Sequence, residues 1–166
     1  MISSKNKQHF FFDFDGTLAD SLGTMYETYA QFARLHNISP SQEEFNTLNG
    51  PTIEEACAIL QNKYQITTPI KDLFDQYLTI IHQAYAHIQA YPDATSLLHY
   101  LSDKQKTMTL VTSNLEKNIY PLVEKFKWET YFKTLITGEK VKKSKPHPEI
   151  YQIALKTYSQ LDLNHV

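Results

Sequence analysis

The sequence predicts an α/β protein with a parallel β-sheet, and three observations support this fold class. A short apolar run at 10–14 ends among closely spaced aspartates, and the region from residue 91 onward alternates short apolar runs with helical patterns. The long region between them has helical patterns only. Strands separated by helices form right-handed β-α-β units and hence parallel sheets. We therefore predict a split α/β core of residues 1–17 and 91–166, interrupted by an all-helical insertion at 18–90.

The first strand is predicted at 10–14, because this run is too short for a free-standing helix and its aromatic residues favour a strand buried on both faces. Side chains alternate along a strand, so Asp13 and Asp15 would project to the same side at its end. Gly16 permits a tight turn there, and Thr17 adds a hydroxyl and an amide beside the carboxylates. Two acids this close repel each other unless a proton or a cation intervenes. Magnesium would satisfy both acids and would also bind a phosphate group.

The insertion is predicted to consist of helices that begin at recognisable positions. The first spans 21–36. Ser41 and Thr52 are each followed three residues later by glutamate, which is the capping-box pattern that opens a helix. A further helix is predicted from Pro69 through Tyr85. No segment of the insertion has a convincing strand pattern.

The second half of the chain is predicted to complete the sheet. A helix through 97–101 precedes a strand at 108–112, and a helix at 116–126 then leads to a strand at 134–137. The last predicted helix spans 148–158. Helices of this size between short strands are typical of a parallel sheet.

Three segments resemble the signatures of the haloacid dehalogenase-like hydrolases. The string at 13–21, Asp-Phe-Asp-Gly-Thr-Leu-Ala-Asp-Ser, is similar to the first signature in the form typical of the phosphatase branch. The strand end at 109–114 resembles the second signature, and Lys-Pro-His-Pro-Glu-Ile-Tyr at 145–151 resembles the third. The resemblance, which extends to phosphoglycolate phosphatase and β-phosphoglucomutase-like proteins, implies a Rossmann-like core with a helical cap that closes over the site and selects the substrate.

The resemblance also implies roles for individual residues. Asp13 would attack phosphorus to form an aspartyl-phosphate, and Asp15 would first protonate the leaving oxygen and then activate water. Asp15 favours phosphate esters over carbon–halogen bonds, because the dehalogenases of the family lack this second aspartate. Thr112 would hold phosphate oxygens, and Lys145 would supply positive charge. Asp13 and Asp15 are the implied magnesium ligands. The further candidates for substrate binding are Gly16, Thr17, Ser113 and Asn114 near the phosphate and Gly50 and Thr52 in the cap loop at 48–53.

The family's fourth signature, an acidic motif that follows a further core strand, is absent from the sequence, which ends at 161–166 where that strand would begin. The resemblance places the missing strand beside the first one. The run at 10–14 would then form an exposed apolar edge of a truncated sheet, and Asp13 with the Asp15 carbonyl would hold magnesium alone. We therefore expect a fragment of a longer protein, or else a truncated protein that covers its edge by self-association, with impaired activity in either case.

Composition excludes several classes of function. The chain is 42% apolar and 20% charged, as in ordinary globular proteins, and its net charge of −2 gives no electrostatic case for nucleic acid or an acidic membrane surface. No 18-residue apolar run and no signal-like segment at 1–9 occur, so membrane association is not expected. The single cysteine, Cys57, fits a reducing compartment, and we expect a cytoplasmic location.

The resemblance implies a magnesium-dependent phosphate monoester hydrolase that acts on a small phosphorylated metabolite. The alternative is a non-catalytic remnant that binds a phosphorylated ligand or a partner protein. Cap lysines Lys63 and Lys71 lie outside the loop at 48–53, which disfavours the Schiff-base chemistry of phosphonoacetaldehyde hydrolases. The loop also has no basic residue to hold a second phosphate, as sugar-phosphate mutases require. A monophosphate hydrolase is therefore favoured, although the segment 49–52 is equally consistent with a plain interhelical turn.

Overall fold

Three strands, β1 (His9–Phe12), β2 (Thr107–Val111) and β3 (Phe132–Ile136), form one sheet in the computed structural model of the chain, which describes residues 8–158. All pairings are parallel and the strand order is β1-β2-β3. The predicted parallel α/β fold is therefore confirmed. The predicted core segments 1–7 and 159–166 lie outside the described residues.

Seven helices accompany the sheet within residues 8–158, and four of them lie in the insertion as predicted. None of the seven is long and apolar enough to cross a bilayer. Their ends lie within a few residues of the predicted positions, and no strand interrupts the four helices of the insertion. The helices are α1 (Leu22–Leu35), α2 (Gln42–Leu48), α3 (Ile53–Tyr64), α4 (Ile70–Tyr85), α5 (Ala94–Asp103), α6 (Glu116–Lys125) and α7 (Glu149–Lys156), with a short 3₁₀ turn at Gly138–Lys140 before α7.

The prediction for the first strand is wrong in its extent and in its burial. β1 ends at Phe12, and its four residues are half-buried rather than buried on both faces, because only β2 pairs with it among the described strands. Phe10 and Phe12 pack against the larger apolar core, whereas Phe11 packs against a smaller cluster under α7. Phe14 lies beyond the strand and is fully buried, with its ring edge-on to Trp128 at 6.3 Å.

The turn after β1 returns the chain towards the sheet. The carbonyl oxygen of Phe14 accepts hydrogen bonds from the amides of Thr17, Leu18 and Ala19 at 3.0–3.2 Å. Gly16 adopts φ +70°, which an L-residue rarely adopts, so the predicted requirement for glycine in this turn is confirmed.

The two segments that connect the insertion to the sheet lie side by side. Ala19 and Ala90 form an antiparallel bridge, and the amide of Asp20 donates to the Gln89 carbonyl at 2.9 Å. The amide of Tyr91 donates to the Leu18 carbonyl at 2.9 Å. The insertion therefore begins and ends at one paired point of the chain.

Side-chain caps begin α2 and α3. Thr52 and Glu55 form the predicted capping box at the start of α3. At α2, Ser41 accepts from the amide of Glu44 at 3.1 Å, but the Glu44 side chain does not return to Ser41 and is buried instead. The capping box predicted at Ser41 is therefore wrong in its second half.

The Glu44 carboxylate is the centre of a polar cluster inside the insertion. Lys63 Nζ donates to it at 2.6 Å and the Tyr64 hydroxyl at 2.8 Å, and the Tyr29 hydroxyl also donates to it. Burial alone would raise the pKa of Glu44, but these hydrogen bonds outweigh burial and lower its pKa. Burial, together with the hydrogen bond to Glu44, raises the pKa of Tyr29 to about 12. The cluster joins α1, α2 and α3.

We expect Glu44→Gln to lower the free energy of unfolding at pH 7 by about 1–3 kcal/mol, because three donors, of which Tyr29 is buried, lose their charged acceptor. A carboxylate whose pKa is lowered on folding stabilises the fold above its ordinary pKa of 4.5, and this stabilisation is lost as the pH falls below that value. In urea unfolding between pH 3 and 7, the free energy of unfolding of the variant should therefore fall less with decreasing pH than that of the wild type. Glu43→Gln, at the exposed neighbouring position, is the matched control and should reproduce the wild-type curve.

Candidate active site

A cavity of about 80 Å³ lies where β1 and β2 end, between the sheet and the loop that joins α2 to α3. Ligands of open α/β sheets bind at the carboxyl ends of the strands. Six of the predicted site residues and Gly50 of the cap loop line this cavity: Asp13, Asp15, Thr112, Ser113, Asn114, Lys145 and Gly50. The cavity therefore brings together predicted site residues from four separate segments of the chain.

Asp13 and Lys145 form an ion pair at the base of the cavity. Lys145 Nζ lies 2.9 Å from Asp13 Oδ1 and also donates to the Val111 carbonyl at 3.0 Å. The amide of Phe14 donates to the same Oδ1 at 2.9 Å. Within the described part of the chain, Asp13 Oδ2 accepts no hydrogen bond. One oxygen of this carboxylate is therefore held in place and the other is available to a ligand.

Asp15 has a different environment, because donors from three segments converge on its carboxylate. Ser21 Oγ and the Tyr85 hydroxyl donate to Oδ1 at 2.7 and 2.8 Å, and Asn114 Nδ2 donates to Oδ2 at 3.2 Å. Asn114 Nδ2 also donates to the Tyr85 hydroxyl at 2.7 Å. Ser21 precedes α1, Tyr85 is the last residue of α4 and Asn114 follows β2, so the carboxylate links the insertion to the sheet.

Burial raises the pKa of Asp15, and the nearby Asp13 raises it further. The hydrogen bonds from Ser21, Tyr85 and Asn114 lower it, but the net direction is upward. Burial and the charge of Asp15 also raise the pKa of Tyr85 well above its ordinary value, so this hydroxyl remains a proton donor. Asp15 is therefore protonated more readily than an ordinary aspartate.

The Tyr85 contact is a feature that sequence reasoning missed. Tyr85 occupies one of the apolar positions of α4 and is 4% exposed, so its pattern predicts only a core residue. Its separation from Asp15 is 70 residues. No local signal distinguishes a tyrosine that packs from one that also donates to a carboxylate at the cavity.

Thr112 and Ser113 follow β2 and contribute hydroxyl groups. Thr112 Oγ1 accepts from the amide of Asn114 at 3.1 Å, which fixes the turn. Ser113 Oγ is buried and has no hydrogen-bond partner among the described residues, although Ser113 lines the cavity. A buried hydroxyl without a partner is costly, and a bound anion would relieve that cost.

Of the remaining candidates, Gly16, Thr17 and Thr52 lie around the cavity rather than in its lining. The Thr52 side chain hydrogen-bonds Glu55 and lines a neighbouring cavity instead. Gly16 and Thr17 do not line the 80 Å³ cavity, and the Thr17 side chain is exposed. Gly50 has φ +135°, and a Cβ there would lie 3.5 Å from the Lys145 carbonyl oxygen. The cap loop therefore lies directly against the segment that carries the lysine.

Asp13 and Asp15 are the candidate magnesium ligands, and their environments allow only part of this role. Among residues 8–158 no group of three or more His, Cys, Asp or Glu side chains could hold a metal ion. Magnesium is commonly bound by one or two carboxylates and completed by water and substrate phosphate. Asp13 Oδ2 fits this pattern. Both oxygens of the Asp15 carboxylate already accept hydrogen bonds, so its carbonyl is the better ligand.

Gly138 holds the segment after β3 against the segment after β2. Its amide donates to the Asn114 carbonyl at 2.9 Å, and a Cβ at this position would lie 2.1 Å from the Ser113 carbonyl oxygen. Only glycine therefore allows the backbone to approach Ser113 this closely.

We expect Gly138→Ala to lower the free energy of unfolding by about 1–3 kcal/mol or more, because the added methyl group collides with backbone rather than with a flexible side chain. Gly23→Ala is the matched control, since a Cβ at Gly23 in α1 meets no atom within 4 Å. The control should be neutral or stabilising by up to about 1 kcal/mol. Equal stability of the two variants in thermal unfolding would contradict the close approach at Gly138.

The fold and the site together define an α/β protein of Rossmann-like architecture with an aspartate–lysine site at the carboxyl ends of its strands. Its sequence matches the model of the haloacid dehalogenase-like hydrolase family over residues 10–166. The chain therefore belongs to the haloacid dehalogenase-like hydrolases, as the three signature segments predicted.

Curated relatives are phosphatases by name. The chain is 24% identical over 149 residues to a phosphorylated carbohydrates phosphatase of Thermotoga maritima, covering 87% of this chain and 67% of the relative. It is 26% identical over 149 residues to pyrophosphatase PpaX of Oceanobacillus iheyensis, covering 87% and 65%, and 26% identical over 155 residues to phosphoglycolate phosphatase of Photorhabdus laumondii, covering 89% and 65%. The chain thus spans about two thirds of the length of these relatives.

Solved structures share the fold. A haloacid dehalogenase-like hydrolase from Bacteroides fragilis matches with a TM-score of 0.80 at 22% identity, covering 93% of this chain and 74% of that one. CbbY from Rhodobacter sphaeroides, crystallised in complex with phosphate, matches with a TM-score of 0.78 at 21% identity, covering 92% and 73%. These matches establish the Rossmann-like architecture of the chain.

Proposed function

We propose that the chain is a phosphate monoester hydrolase that acts through an aspartyl-phosphate on Asp13. The observation that carries this proposal is the pairing of Asp13 Oδ1 with Lys145 at 2.9 Å, which leaves Oδ2 open to the cavity. Asp15, whose pKa is raised by burial, lies two residues away, where a second carboxylate can donate and accept the proton. The phosphatase names of the curated relatives support the same class of reaction.

In this mechanism Asp13 Oδ2 attacks phosphorus while the leaving oxygen departs on the opposite side. Lys145 restrains Oδ1, and its own position is set by the Val111 carbonyl and by the ring of Tyr151 at 5.6 Å. The lysine therefore both orients the nucleophile and supplies positive charge as negative charge develops on the phosphoryl oxygens.

Asp15 is proposed as the acid and then the base. Burial raises its pKa, which favours the protonated form that a leaving alkoxide requires. After the alcohol has left, the ionised Asp15 takes a proton from the water that hydrolyses the aspartyl-phosphate. The donors Ser21, Tyr85 and Asn114 stabilise that ionised form, so both protonation states have a physical basis.

Phosphate oxygens are proposed to bind the hydroxyl groups at the end of β2. Ser113 Oγ has no partner in the described residues, and Thr112 lines the cavity beside it. The Asp13 carboxylate and the Asp15 carbonyl would hold magnesium. When bound, that ion would neutralise negative charge on the phosphoryl group.

We further propose that residues 18–90 act as a cap over a core of residues 1–17 and 91–166. The paired linkers at 18–20 and 89–91 support a single point of attachment for the cap. The substrate of such a site would be a small phosphorylated metabolite, since the cavity is only about 80 Å³.

Asp13→Asn tests the proposed function. We expect magnesium-dependent hydrolysis of p-nitrophenyl phosphate or acetyl phosphate to fall by about three orders of magnitude or more, because the amide cannot act as the nucleophile. Asp75→Asn, on the exposed face of α4, should retain the wild-type rate. Undiminished hydrolysis by the Asp13 variant would refute the role of this residue. Binding of the esters without hydrolysis by the wild-type chain would favour the non-catalytic alternative.

Tyr85→Phe tests the proposed role of Asp15. The variant keeps the buried ring and removes a hydrogen bond that stabilises the ionised carboxylate, so the pKa of Asp15 should rise. The acidic limb of the kcat–pH profile, which follows ionisation of the base, should then move to higher pH.

Tyr77→Phe is the matched control for this measurement, because Tyr77 is a second buried tyrosine on α4 and does not contact Asp15. Its acidic limb should coincide with that of the wild type. A uniform loss of rate in the Tyr85 variant with an unmoved limb would count against the assignment of Asp15 as acid and base.

A further inference from the structure

The cap side of the cavity carries no charged residue. The cap contributes Met25, Leu48, Asn49, Gly50, Pro51 and Ile53 to the lining. Asn49 is the only one of these with a polar side chain. A leaving group that enters the cavity with its phosphate would therefore contact apolar side chains and backbone.

The core side offers no spare positive charge. Lys145 is the one cationic residue in the lining of this cavity as the described residues define it, and its Nζ already contacts Asp13 and the Val111 carbonyl. Asp13 and Asp15 add two carboxylates at the same position. A phosphate ester is itself anionic. Lys145 would contact the phosphoryl group and its nucleophile, so it cannot also pair with a charge on the leaving group.

The neighbouring cavity does not supply the positive charge that the first cavity lacks. It has a volume of about 380 Å³ and also has Ile53 in its lining, so a longer leaving group would extend towards it. Three glutamates, Glu54, Glu55 and Glu139, line it together with one lysine, Lys142. A second anionic group would therefore meet an excess of negative charge there.

We propose that this site selects phosphate monoesters whose leaving group is small and uncharged, and that it discriminates against esters with a carboxylate or a second phosphate on the leaving group. The inference rests on the proposed hydrolase function and adds the charge of the substrate to it. Discrimination arises because an unpaired charge in the cavity would lose its hydration without gaining a cationic partner.

A matched pair of esters tests this selection. Phosphoglycolate and its amide, phosphoglycolamide, have the same number of heavy atoms and differ by one negative charge. We expect kcat/KM of the wild-type chain to be about tenfold or more higher for the amide. An equal or higher kcat/KM for phosphoglycolate would overturn the proposal.

Asn49→Lys tests whether the absence of a cationic side chain on the cap side causes the discrimination against charged leaving groups. Asn49 is exposed at the end of α2 and lines the cavity, so a lysine there can reach the leaving group without repacking the core. The amide-to-carboxylate ratio should fall about tenfold. Asn46→Lys adds the same charge at an exposed position of α2 outside the lining and should leave the ratio unchanged. An unchanged ratio in both variants would refute the electrostatic cause.

Failure of the proposed function has a different signature from failure of this inference. If the wild-type chain hydrolyses neither ester, the hydrolase function fails, and calorimetric titration of the two esters then tests the selection directly. Weaker binding of phosphoglycolate than of its amide supports the selection, and equal or tighter binding overturns it.

Discussion

The hydrogen-bonded carboxylate of Asp15 is the constraint on which the arrangement of this protein depends. A partly buried carboxylate needs donors, and the donors here come from Ser21 just before α1, the last residue of α4 and the loop after β2. The hydrogen bonds to this one side chain therefore hold the start of the insertion, its longest helix and the end of β2 at the same point. The paired linkers beside Ala19 and Ala90 complete that junction with backbone hydrogen bonds.

The two aspartates at the end of β1 illustrate how environment divides the roles of identical groups. Asp13 is held on one oxygen by Lys145 and a backbone amide, and its other oxygen is open. Asp15 is bonded on both oxygens and has a raised pKa because of burial. The nucleophile and the proton carrier that we propose require this kind of separation, and two residues of spacing on one turn are enough to produce it.

The site is closed by backbone contacts more than by side chains. Gly50 lies against the Lys145 carbonyl, and Gly138 approaches the Ser113 carbonyl more closely than any other residue type would allow. These approaches bring an uncharged cap loop to the edge of a cavity whose only cation is engaged by Asp13, among the residues that the structure describes. The proposed preference for an uncharged leaving group follows from that combination.

Local patterns in the sequence determined the parallel fold, the helical insertion, the turn at Gly16, and the convergence of Asp13, Thr112 and Lys145. Strand and helix periodicity and turn chemistry act over a few residues, so they can be read without knowledge of packing. Only the tertiary structure decided the half-burial of β1, the withdrawal of Glu44 from its capping box and the hydrogen bond from Tyr85 to Asp15. These features depend on partners 15 to 98 residues away, and whether a polar side chain finds such a partner is decided when the segments pack.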